Sequence, residues 1–164
     1  MRCSTGIFGV ATAIAMVTAA PAARGEDFAK FKCQDVGAVD TIEPAGDRDG
    51  HGIMAATVSC GVTSGPLEGG LGTVQGIYEW DKTTGAMLTE GGVIRKPDAL
   101  VVFKMTEGKI VLTMAEGKVT GFTATGKGRL PFASGGAAAM AGKTFNWTAK
   151  GVGFGQYEVI WTAD

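Results

Sequence analysis

Apolar and polar positions alternate with a period of two over most of the chain beyond His51, and no segment keeps a helical period. The plainest case is residues 73–80, where Val74, Tyr78 and Trp80 fall on one face and Gln75 and Glu79 on the other. The same reading predicts strands at residues 53–62, 73–80, 86–95, 100–106, 109–115, 119–130, 143–151 and 156–162. Residues 64–70, 82–85 and 96–98 read as turns. The acidic–glycine pairs Glu107-Gly108 and Glu116-Gly117 read as hairpin turns between β-rich runs. Residues 131–142 leave room for one helical turn through residues 137–141 and no more.

Short connections imply antiparallel neighbours, because a parallel crossover needs about a dozen residues or more. The expectation is therefore an all-β fold, an eight-stranded antiparallel up-and-down barrel, which removes exposed edges. A two-sheet sandwich is the alternative. The 27 glycines favour the barrel, since strong coiling and bends place glycine inside strands. Upstream, residues 23–50 read as an N-terminal strap. Phe28, Phe31 and Cys33 form one short strand there, followed by a polar, Pro- and Gly-containing loop over residues 39–52. Residues 51–164 are the barrel domain.

Residues 1–22 fit a secretory signal peptide, with Arg2, an uncharged apolar stretch from Gly6 to Ala20, and the small-x-small site Ala20-Pro21-Ala22. The apolar run is about fifteen residues, short of the ~20 that span a bilayer as a helix, so no membrane span is expected after cleavage. An uncleaved anchor is the alternative. Cys3 leaves with the peptide. The mature chain, of about 140 residues, suffices for one domain, and a bacterial periplasmic or secreted location is expected. In that oxidising compartment Cys33 and Cys60 are expected to pair. Closing a loop of about 27 residues contributes about 3 kcal/mol on a chain-entropy account. Two buried free thiols are the alternative. A formal net charge of −1 argues against nucleic-acid binding, which needs a basic patch.

The run TATGKGRLPFASGGAAAMAGKTF resembles the motif of allene oxide cyclase and dirigent-type barrels and their bacterial relatives: a glycine-rich strand end, a Gly/Ala crossing, and a strand start in which a glycine shortly precedes a phenylalanine. Gly126, Gly128, Arg129, Gly135, Gly142 and Phe145 are the matching positions, over about twenty-five residues of low-complexity sequence. The chain departs from that pattern at Leu130-Pro131, where an aromatic residue would stand. The resemblance implies a calycin-like barrel and carries no catalytic position over to this chain.

Several motifs imitate chemistry. Residues 137–144 (AAAMAGKT) and 121–128 fit a relaxed phosphate-loop pattern, but Lys143 opens the β-branched and aromatic run TFNWT rather than the helix that such a loop requires. Asp47, Asp49 and the glycines around them suggest a calcium loop. His51 stands where a ligand belongs, however, and Val58 occupies the place of the closing glutamate. His51 is the only histidine, which leaves a triad or a histidine-rich zinc site one possible centre, and its Gly and Asp neighbours read as an exposed loop. No metal and no cofactor is expected.

Glu79, Glu90 and Arg95 lie in adjacent predicted strands. Outward-facing charge is the plain reading; a carboxylate among aromatics would instead have a raised pKa and could act as a general acid or base. Phe122, Phe145, Trp147, Tyr157 and Trp161 alternate in phase within their strands and share a face with Tyr78 and Trp80. They read either as packed core or as the walls of a cavity that holds one apolar molecule. Tyr78, Trp80, Glu90, Arg95, Phe122, Trp147, Tyr157 and Trp161 are accordingly the candidate ligand-binding residues. A secreted barrel that binds a small apolar ligand, or serves as a structural module, is expected. A cofactor-free cyclase or isomerase and an envelope protein-interaction module are the rivals.

Overall fold

The computed structural model describes residues 27–37, 41–153 and 155–164. Nine strands follow in order: β1 (Asp27–Asp35), β2 (Glu43–Pro44), β3 (His51–Ser64), β4 (Leu71–Asp81), β5 (Thr84–Lys96), β6 (Ala99–Ala115), β7 (Lys118–Gly135), β8 (Thr144–Gly153) and β9 (Gln156–Ala163). Every pairing is antiparallel, each strand from β3 onward pairs with the next, and β1 lies between β9 and β3. The result is a closed eight-stranded barrel with the two-residue β2 laid outside β3.

The strand number agrees with expectation, but two of its parts do not. Residues 100–106 and 109–115 are one strand, β6, and Glu107-Gly108 makes no turn. Glu116-Gly117 does turn, with φ of +51° and +75°, the left-handed pair that a tight hairpin needs. At Glu107 the ladder slips instead: Met105 faces Gly128 and Glu107 faces Lys127, with their charged ends 3.3 Å apart. The missing strand is supplied by the N-terminal segment, where Asp27–Asp35 forms a full member of the wall rather than a strap outside it. Its alternation buries Ala29, Phe31 and Cys33 and exposes Lys30 and Lys32. The Cys33–Cys60 disulfide bridges directly opposed residues of β1 and β3, so it fastens the seam at which the barrel closes. The leader reading of residues 1–22 lies outside the described residues.

Strand β7 is likewise longer than the reading of residues 119–130, because it runs through Leu130-Pro131 to Gly135. Its ladder with β8 ends at Arg129, so the missing N–H of Pro131 costs no bond on that side. A single 3₁₀ turn, Ala138–Met140, stands where the sequence leaves room for one.

Inward glycines explain much of the composition. A Cβ built at Gly85 would lie 2.9 Å from the Trp80 ring, one at Gly92 2.7 Å from Phe103, and one at Gly108 2.8 Å from Trp147. Gly76 lies under Tyr78, and Gly128 lies under Phe145 in the same way. A barrel of this size cannot give every inward position a large side chain, and here rings lie flat across glycine backbones.

One rim is plugged. It carries the connections after β3, β5 and β7, and these contribute the buried Leu67, Ala137 and Met140. Below them Trp161 gathers the rings of Phe145 (stacked, centroids 4.2 Å apart), Phe31 (4.6 Å), Phe103 (5.2 Å) and Phe28 (5.9 Å). The opposite rim carries the short turns after β4, β6 and β8.

Candidate functional site

A slipped register in β5 builds the site. Ile77 faces Thr89 while the next residue, Tyr78, faces Met87, so Leu88 is an extra residue bulged from the strand. Without that bulge, Met87 and Glu90 would point to opposite faces. With it, Glu90 turns into the barrel opposite Gly76 and Met105, and Gly92 and Ile94 follow in phase. Arg95 is therefore directed outward and exposed, which removes it from the interior set. The correction is one of parity: residues 90 and 95 cannot share a face of a regular strand.

Glu90 lines a cavity of about 40 Å³ together with Phe103, Met105, Trp147, Tyr157 and Trp161, and the disulfide forms part of the wall. The cavity's lining contains no basic side chain. Burial pushes the Glu90 carboxyl from 4.5 up to about 7, and a hydrogen bond from Tyr78 partly offsets the rise. Tyr78 reaches it because Gly76 leaves the floor beneath its ring clear. The second carboxyl oxygen, Oε2, is sealed from solvent and has no hydrogen-bond partner among the described residues; the same holds for the indole Nε1 atoms of Trp80, Trp147 and Trp161.

Of the remaining candidates, Trp80 is buried but off the cavity, over Gly85. Phe122 packs edge-on against Tyr157 with ring centroids 5.4 Å apart, where β9 leaves the turn-bearing rim. The alternation of the aromatics thus identifies the inner face. Phe31 and Phe103 also line the cavity, and their signal was the same phase: Phe31 stands two residues before Cys33, and Phe103 stands between Val101 and Met105.

A second polar group sits on the outer wall. His51 Nε2 lies 2.8 Å from Glu79 Oε1, and Nδ1 is hydrogen-bonded to Asp47. Arg48 adds contacts of 3.0 Å to Asp47 and 3.4 Å to Asp81. The His51 side chain is only 11 % exposed, against the expectation of an exposed loop residue. Hydrogen bonds to Asp47 and then Glu79 raise its pKa above 6.5. The imidazolium form can donate from both ring nitrogens to these carboxylates, and in that form it has no lone pair for base catalysis or a metal. Asp47, the calcium-loop candidate, spends its carboxylate on His51 and Arg48. Among the described residues no cluster of three or more metal-ligating side chains occurs. Nor is any helix among them long and apolar enough to cross a membrane.

No family model, curated protein or solved structure matches the chain.

Proposed function

We propose that this protein is an exported ligand-binding barrel that takes a small, mainly apolar molecule into its interior, with Glu90 as the polar anchor. The observation that carries the reading is the Glu90 carboxyl, turned by a bulge into an aromatic cavity with one oxygen unpartnered. An unpaired buried carboxyl costs stability, and a ligand group that satisfies it recovers that cost on binding. Export is supported by the leader-like residues 1–22 and by the disulfide, whose formation suits an oxidising compartment.

The cavity of about 40 Å³ is far below the ~300–1,000 Å³ of drug-sized ligand sites. It therefore suits a ligand of a few non-hydrogen atoms, or the end of a longer one admitted past Tyr157. The same small volume favours a second reading, a structural module whose core fills itself, over a cyclase or isomerase that must house a reacting substrate. Native mass spectrometry of the full chain isolated from its own host separates them. An added small-molecule mass, reduced severalfold in Glu90→Leu, is the expected result. The bare polypeptide mass alone would leave the structural module.

A further inference from the structure

Four buried side-chain atoms lack a partner among the described residues; Trp80 Nε1 belongs to a residue off the cavity, and the polar chemistry of the ligand follows from the other three, an inference that rests on the reading that the cavity takes a ligand. Trp147 Nε1 and Trp161 Nε1 can donate a hydrogen bond but never accept one. Glu90 Oε2 belongs to a carboxyl that is divided near neutral pH between acid and carboxylate. All three residues line one cavity of about 40 Å³.

Three ligand chemistries compete for these atoms. An ammonium group pairs with ionised Glu90 and gains from the ring faces, yet it has no lone pair for either indole N–H. A carboxylate or carbonyl oxygen accepts from the indoles but offers Glu90 no proton, and an anion is repelled once Glu90 ionises. A hydroxyl donates and accepts at once, carries no charge into an apolar site, and retains a partner whether Glu90 is ionised or neutral. Bulk water has the same hydrogen-bonding pattern but no apolar portion to bury against Phe103, Met105 and Val159, which also line the site.

We propose that the interior site selects an alcohol, whose hydroxyl donates to Glu90 Oε2 and accepts from the indole N–H of Trp147 or Trp161 while its hydrocarbon portion packs against the aromatic wall.

The chain has three tryptophans, and their indole N–H resonances in ¹⁵N-labelled full-length protein provide the readout. Trp80 lies off the cavity and serves as the internal control. The probes are 1-propanol, 1-propylamine and propionate, matched in chain length, with assignments from single Trp→Phe variants. Propanol is expected to shift the Trp147 or Trp161 resonance saturably and leave that of Trp80 in place. Its affinity should vary less than about twofold between about pH 5.5 and 8.5, because a hydroxyl serves both states of Glu90. Glu90→Leu, with its fold checked by thermal unfolding, should abolish the saturable shift.

Tighter binding of propylamine that strengthens as pH rises would overturn the alcohol assignment in favour of a cation. Tighter binding of propionate that strengthens as pH falls would overturn it in favour of an acid. Either result leaves interior binding intact. Unchanged propanol affinity in Glu90→Leu would overturn Glu90 as the anchor. No saturable shift with any probe, or only a linear drift shared by all three indoles, would overturn this inference and the binding reading together.

Discussion

The two halves of the barrel interior are made from the same residue types and end in opposite conditions. Around Trp161, Phe145 is fully buried, Phe31 and Phe103 are nearly so, and Leu67 and Leu130 are buried with them, a dense ring cluster that carries no charged group although Trp161 Nε1 lacks a partner. On the neighbouring β5, Glu90 enters an interior just as aromatic with one oxygen unsatisfied. One half gains stability from its shape; the other gives some away. Proteins tolerate such a cost mainly where a polar group has a task, and the contrast itself therefore directs attention to Glu90.

The largest test of this contrast is truncation. Phe145→Ala should cost about 3–5 kcal/mol, measured by denaturant unfolding, because its ring stacks on Trp161 at full burial. Phe122→Ala, at the partly exposed end of the interior, should cost clearly less. Equal losses would erase the distinction between a packed half and an open one.

The second test reads the polar cost directly. The folded-state pKa of Glu90, about 7, lies above its 4.5 reference, so the native state holds this proton more tightly than the unfolded chain. Its contribution is best below about pH 4.5, declines as pH rises towards about 7, and then levels, a total of up to about 3 kcal/mol. Glu90→Gln should remove that decline and leave the variant more stable than the parent at pH 8. Parallel stability–pH curves for the two proteins would show that Glu90 is not desolvated.

The smallest effect belongs to the charge that does have partners. His51, held by Asp47 and Glu79, should titrate above 6.5 by NMR, and Asp47→Asn should lower that value. Because its pKa is raised on folding, its contribution is complete below about 6.5 and is lost as pH climbs through the raised value. An unshifted His51 would mean that the outer cluster is as loosely held as an ordinary surface pair.

The sequence made the wall legible and the irregularities obscure. Period-two alternation locates most strands, and the aromatic phase of Trp147, Tyr157 and Trp161 identifies the inner face. What alternation cannot register is a change of phase. The bulge at Leu88 decides that Glu90 points in and Arg95 out, and nothing local in the sequence marks it. The slip at Glu107 turned an expected hairpin into a continuous strand for the same reason. The glycines were legible as β-barrel composition, but their role as floors beneath rings depends on which residue lies across the sheet. The Asp47–His51–Glu79 contact joins positions 28 residues apart between His51 and Glu79 and left no trace in spacing.

The placement of β1 between β9 and β3 has a directional consequence. Asp27 faces Thr162 across the ladder, so both ends of the described barrel leave from the plugged rim. A tag, a surface tether or a fused domain attached directly at Asp27 or after Ala163 would hang from the side sealed by Leu67 and Met140. The rim beside Tyr157 would then face outward, so a protein immobilised by either end would keep the same side free for a small molecule to approach.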